Sequence, residues 1–219
     1  LFGELLSSPE LIFQEGNAHF AKGNYQEAIK AYKQTIELDP TFSGAYANLG
    51  NGFRALSIHI ESQNGRNDDF DPHLDKLLRE HKQLALAAFE QATELSPTRA
   101  RNHFNLGVAY AELDRIENAA ESYRKALALD SKHLNAHYNL GVLLQENPQL
   151  MKKPDEQLSC YSNVLQLDTH HVSARLNMCN VVYARGDFSL AERCYGDVLR
   201  LDSDHLLALG NMVAVLQLR

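Results

Sequence analysis

One short pattern recurs along this chain, and it limits the fold more tightly than any composition figure. Tyr46-Ala47-Asn48-Leu49-Gly50, His103-Phe104-Asn105-Leu106-Gly107 and His137-Tyr138-Asn139-Leu140-Gly141 all carry it, and the last two lie 34 residues apart. A second pattern alternates with it. It reads Ala28-x3-Tyr32 ending at Asp39-Pro40, Ala85-x3-Phe89 at Ser96-Pro97, Ala119-x3-Tyr123 at Asp130-Ser131, and Ala191-x3-Tyr195 at Asp202-Ser203. Within these units apolar residues recur at the spacing of amphipathic helices. Alanines sit where two helices must approach closely, and Pro, Ser or Thr after Asp or Ser marks each break.

The arrangement resembles the tetratricopeptide repeat (TPR), whose W-x2-L-G-x2-Y…A-x3-F…P pattern builds one helix-turn-helix unit, helix A then helix B. The resemblance implies an all-α right-handed TPR solenoid over 1–219. Its repeats fall at 9–42, 43–99 with an insertion at about 58–80, 100–133, 134–171 and 172–205, and a partial repeat occupies 206–219. Each repeat then buries its apolar face only against its neighbours. Gly23 and Gly186 share one repeat position, between the helices, where a helix end favours positive φ. The insertion in repeat two lies in the A–B turn. The spacing predicts both helices lengthened there, with Ser62 to Pro72 a polar loop and Ile58, Ile60, Leu74, Leu77 and Leu78 needing cover. In repeat four Asn147-Pro148 to Lys153-Pro154 reads as a loop, because proline disfavours helix at the residue before it. The consensus Trp is absent, Cys179 replaces the small Gly of repeat five, and Gln157 replaces the packing Ala of repeat four, which should be the loosest.

Composition narrows the function classes. A formal net charge of -7 argues against nucleic acid, which attracts clustered Lys and Arg. No apolar run is long enough to span a membrane. Three Cys without a C-x-x-C pair give neither a zinc signature nor a disulfide framework, so Cys160, Cys179 and Cys194 read as small buried thiols and the compartment as reducing, cytoplasmic or nuclear. No charged leader with a cleavage site precedes the repeats, and the chain reads as a segment of a longer protein. His133, His170, His171 and His205 fall at inter-repeat turns and read as solvated. Asn67-Asp68-Asp69-Phe70-Asp71 lacks the order of a calcium loop. No phosphate loop or nucleophile elbow appears, so no metal, cofactor or catalytic residue is expected, and the segment reads as non-enzymatic.

The informative series is asparagine. Position 6 of helix A holds Asn48, Asn105, Asn139, Asn177 and Asn211, with Gln14 in repeat one, and position 9 adds Asn17, Asn51 and Asn180. Asn costs a helix roughly 0.5 kcal/mol relative to Ala, so its recurrence at one register asks for a reason. Positions 2, 6, 9 and 13 share a face. In the TPR family that face lines the concave groove. A row of amides, each with two donors and an acceptor, suits an extended peptide backbone, reading main chain rather than sequence. The series resembles the TPR arm of O-linked N-acetylglucosamine transferases and adaptors such as kinesin light chain. The competing reading makes the amides braces between repeats.

A second family mode is the carboxylate clamp of co-chaperones. Asn17, Asn48 and Arg101 match it, while Phe13 and Asn105 stand where it needs cations. At position 5, Phe13, Phe104, Tyr138 and Leu176 either pack between A helices or form apolar groove pockets. The residues expected to touch a peptide are therefore Asn17, Asn48, Asn51, Arg101, Asn105, Tyr138, Asn139, Asn177, Asn180 and Asn211. Three functions stay open: a protein-interaction module for extended polypeptide, the substrate-selecting arm of a larger enzyme such as a glycosyltransferase, and an assembly scaffold or co-chaperone-like domain. Segment 206–219, apolar on both sides, is a further candidate surface for self-association.

Overall fold

The computed structural model describes residues 8–64 and 71–218, and every regular element among them is helical. The all-α helix-turn-helix class expected from the sequence is what the chain adopts. The helices gather into two compact units, 1–129 and 130–219. The first holds α1 (Pro9–Ala21), α2 (Tyr25–Leu38), α3 (Ser43–Asn64), α4 (Pro72–Leu95), α5 (Ala100–Glu112) and α6 (Ile116–Leu129). The second holds α7 (Leu134–Glu146), a 3-10 turn (Pro148–Leu150), α8 (Glu156–Leu167), α9 (Val172–Ala184), α10 (Phe188–Leu201) and α11 (Leu206–Gln217). The acidic segment 67–70 lies outside the described residues.

One contact repeats in every helix pair. The aromatic of helix B, which is Tyr32, Phe89, Tyr123, Tyr161 or Tyr195, is almost wholly buried, and the alanines Ala28, Ala85, Ala119 and Ala191 beside it are sealed. In the first four pairs the ring lies against a glycine of helix A. A Cβ added at Gly16, Gly50, Gly107 or Gly141 would come 2.6–2.9 Å from the ring carbons of Tyr32, Phe89, Tyr123 or Tyr161. That distance is far inside van der Waals contact, so the Leu-Gly of the repeat is a requirement of the helix crossing.

Repeat five solves the same crossing differently and corrects the reading of its cysteines. Cys179 occupies the glycine position, Cys194 precedes the buried Tyr195, and the two form a disulfide with Cα atoms 5.5 Å apart. Cys160 has the register of Cys194 but faces Gly141 and remains a buried thiol. The pair is invisible to a search for short Cys spacings because its members are brought together by the helix crossing. Its existence removes the cysteine argument for a reducing compartment.

The turns follow local chemistry. Gly23 and Gly186 take φ values of 78° and 81°, and Asp114, at the same repeat position, is held at 57°. Three histidines expected as solvated turn residues instead cap helices. The Nδ1 atoms of His133, His171 and His205 accept from the backbone N–H of Ala136, Ala174 and Ala208 at 3.2–3.4 Å, which supplies a side-chain acceptor to first-turn donors, shared at Ala136 with the His133 carbonyl. Two more tie helix starts to the preceding turn: ring Nε2–H of His103 donates to the Pro97 carbonyl at 2.7 Å, and that of His137 to the Ser131 carbonyl at 3.0 Å.

The insertion lengthens α3 and α4 into a hairpin. Phe53 and Leu56 are buried, Ile60 packs on the same core, His81 sits 5.9 Å from the Phe53 ring, and Lys82 meets Glu61 at 3.6 Å across the pair. Cover is incomplete, since Ile58 and Leu77 remain exposed. In repeat four Gln157 brings a polar atom into the packing position, where its Oε1 is buried with no hydrogen-bond partner.

Candidate functional site

In the first unit, α1, α3 and α5 are successive A helices, and the position 6 and 9 amides meet between them. Asn17 Oδ1 accepts from the Tyr32 hydroxyl at 3.0 Å and from Asn48 Nδ2 at 2.7 Å, while Asn17 Nδ2 donates to Gln14 Oε1 at 3.3 Å. The helix B tyrosine thus reaches past its glycine and fixes the position-9 amide, which orients the position-6 amide of the next repeat. Burial raises the Tyr32 phenol above its ordinary value, with the neighbouring Asn48 amide opposing the shift.

The same device recurs in the second unit. Asn180 Oδ1 accepts from the Tyr195 hydroxyl at 2.8 Å and from Asn211 Nδ2 at 2.9 Å. Burial again raises the Tyr195 phenol, against the Asn211 amide. Repeat four lacks the position-9 amide, having Val142 there, and its Tyr161 hydroxyl donates instead to Gln145 Oε1 at 2.8 Å. Burial holds the Tyr161 phenol well above the usual tyrosine range, and the Asn177 amide partly offsets this. Bracing, one of the two sequence readings of the asparagines, is therefore present at Asn48 and Asn211.

Repeat two breaks the series. Its helix B aromatic is Phe89, which has no hydroxyl, and no bond joins Asn51 to Asn105 although the register pairs them as it pairs Asn17 with Asn48. Asn105 is 7% exposed, and its Nδ2 is buried without an acceptor among the described residues. Beside this gap lies an open cavity of about 190 Å³ lined by Asn17, Phe20, Tyr32, Asn48, Asn51 and Arg101. Arg101 is exposed and has no ion pair among the described residues. Four of the ten residues expected to touch a peptide converge here.

The others are dispersed. Asn105 follows Arg101 by one turn of α5. Asn139, Asn177, Asn180 and Asn211 lie in the second unit, all half-buried. Tyr138 is a packing residue, its ring 5.0 Å from His171 and 6.4 Å from Tyr161. Phe13 and Leu176 are likewise committed, the Phe13 ring packing tilted with its centroid 4.9 Å from that of Phe42 and Leu176 buried. Sequence reasoning missed the tyrosine hydroxyls. Their alternation with Phe89 at one register was the available signal. Among the described residues no group of three or more His, Cys, Asp or Glu is placed to hold a metal, and no helix is long and apolar enough to cross a membrane.

Residues 16–53 and 109–147 match the TPR repeat family. Those two stretches read as tetratricopeptide repeats. The TPR fold extends well beyond those stretches. The crystal structure of MamA superposes with a TM-score of 0.69 at 18% identity, covering 86% of this chain and 94% of that one. The crystal structure of YrrB, described as a TPR protein with an unusual peptide-binding site, superposes with a TM-score of 0.68 at 20% identity, covering 91% and 89%. Among curated proteins, the protein O-mannosyl-transferase TMTC3 of Homo sapiens is 27% identical over 149 residues, 66% of this chain. The chain spans only 14% of that transferase's length.

Proposed function

We propose that this TPR segment is a non-catalytic protein-interaction module that binds an extended polypeptide on the shared face of α1, α3 and α5. The observation that carries the reading is the open cavity where Asn17, Asn48, Asn51 and Arg101 converge. The Tyr32 and Asn48 bonds to Asn17 hold its amide in one orientation, so part of the ordering cost of binding is met by the fold before a ligand arrives. Asn51 has no hydrogen bond among the described residues and offers its full amide to a peptide backbone. The peptide-binding site of the similarly folded YrrB supports the same class of ligand. The second unit carries an amide row of its own, which resembles the TPR arm of glycosyltransferases and offers the same kind of backbone readout through Asn139 and Asn177.

The test is to select unstructured peptides by display against the folded segment and to measure their affinity for Asn51→Ala by fluorescence anisotropy. Loss of a hydrogen bond at a desolvated site costs roughly 1–3 kcal/mol, so Kd should rise about fivefold or more. A panel that yields no binder, or binders indifferent to Asn51, rejects the reading.

The match to TMTC3 favours a second reading, in which the module is the substrate-selecting arm of a larger transferase. Removing the segment from such a parent enzyme should then abolish transfer to protein acceptors while sparing small ones.

A further inference from the structure

We infer that the cavity beneath Arg101 takes one internal acidic side chain of the bound polypeptide, an Asp or Glu within an extended segment rather than a free C-terminus. This inference rests on the peptide reading above and specifies the chemistry of its ligand. Arg101 brings a guanidinium with five N–H donors and no ion pair among the described residues. One turn further along α5, behind the cavity lining, Asn105 has an amide nitrogen that is buried without an acceptor. Asn51 adds another amide with no bond, and Asn48 keeps one N–H beyond the one given to Asn17. Tyr32 has already committed its proton to Asn17. The wall is thus rich in unspent donors, and no carboxylate lines it.

A surplus of donors selects a group that only accepts, and the ionised carboxylate is the side chain that does so with two oxygens. Its charge complements Arg101. The count of cations limits the ligand to one charge at this point. Arg101 is the only cation on the cavity wall, whereas a chain terminus bearing an acidic residue brings two carboxylates. On a chain of net charge -7 an additional carboxylate there has no partner. The size agrees. At about 190 Å³ the cavity is below the roughly 300–1,000 Å³ of a drug-sized site and accommodates a single side chain.

The experiment uses short fluorescein-labelled peptides on one Ser/Thr/Val background: a neutral peptide with blocked ends, the same peptide with one central Glu, and a version ending in two acidic residues and a free carboxylate. Each is titrated against the folded segment and against Arg101→Gln, whose melting temperature is checked alongside. Because a hydrogen bond to a charged group is worth roughly 1.5–3 kcal/mol, the central-Glu peptide should bind about tenfold or more tighter than the neutral one. That advantage should vanish in Arg101→Gln and shrink as salt is raised. Equal affinity for the neutral and central-Glu peptides overturns the inference and leaves peptide binding standing. A Glu advantage that survives Arg101→Gln also overturns it, as does tightest binding of the free acidic terminus. Failure of all three peptides to bind overturns the peptide reading itself.

Discussion

Asn48 and Asn105 occupy the same repeat position with opposite bonding, so truncating each to alanine isolates what the brace contributes. Both substitutions remove the same atoms from position 6 of an A helix and gain the same helix propensity, so those terms cancel in the comparison. What remains is the hydrogen bonding. Asn48→Ala breaks the 2.7 Å bond to Asn17, whose carbonyl still accepts from Tyr32 and is not orphaned; the loss is a net hydrogen bond, about 1 kcal/mol. Asn105→Ala breaks no bond to Nδ2 and removes a buried donor without an acceptor, whose burial costs roughly 1–3 kcal/mol. The two variants should therefore differ by about 2–4 kcal/mol in favour of Asn105→Ala, which at roughly 2–4 °C per kcal/mol for a chain of this size separates their melting temperatures by about 4 °C or more. Scanning calorimetry of both variants beside the parent measures this directly. A double-mutant cycle between Asn17→Ala and Asn48→Ala should return a coupling near 1 kcal/mol, and one between Asn51→Ala and Asn105→Ala none. Coincident melting temperatures, or Asn105→Ala the less stable, would refute the claim that the repeat-two gap is an unfilled donor.

Other features make separate demands. Asp114 holds the left-handed conformation that Gly23 and Gly186 hold at the same repeat position, so Asp114→Gly should stabilise the protein by about 0.5–1 kcal/mol in a urea titration, whereas destabilisation would mean the carboxylate has an unseen role. Gln157→Ala should raise the melting temperature of the second unit, because a buried unpaired carbonyl costing roughly 1–3 kcal/mol gives way to the alanine found in the other repeats; a fall would place the loose packing elsewhere. Reductant should lower the melting temperature by several degrees, a cross-link closing about 15 residues being worth about 3 kcal/mol, and Cys179→Ser/Cys194→Ser should melt at the same temperature with or without it. On α11, Ala208 and Val215 are buried while Leu206, Leu207, Val213 and Leu216 are exposed, and sedimentation should show association that rises with concentration and is abolished by Val213→Glu/Leu216→Lys; a strictly monomeric parent protein rejects that surface.

How far the sequence could be read depended on whether an interaction repeats or is a departure from repetition. The fold was legible because Gly16, Gly50, Gly107 and Gly141 and the facing aromatics recur at fixed register, and one steric fact, a ring against a Cα, explains each of them. The amide face was legible for the same reason. Its chemistry was not, because that depends on pairs across repeats: Asn48 is a brace only because position 9 before it is Asn17 and the partner aromatic is Tyr32 with a hydroxyl. The cysteines show the same limit from the other side. Cys179 was visible as a departure from glycine, yet its meaning lay in Cys194, fifteen residues on and at the one register that the A–B crossing brings into contact.

The exceptions also show where function can reside in a repeat protein. A tyrosine–asparagine–asparagine chain that closed at every repeat would spend each amide on its neighbour and present little to a ligand. At repeat two the loss of one oxygen, Phe89 for tyrosine, leaves Asn51 unbonded and Asn105 unpaired, and Arg101 stands one turn away on the same helix face. Restoring the hydroxyl is therefore the most direct probe of the site. In Phe89→Tyr the new hydroxyl should bond Asn51, draw Asn105 into the brace and raise the melting temperature. Peptide affinity should fall at the same time, because the donors that face the cavity are then satisfied from within the fold. Stabilisation with unchanged affinity would separate the gap in the brace from the binding site.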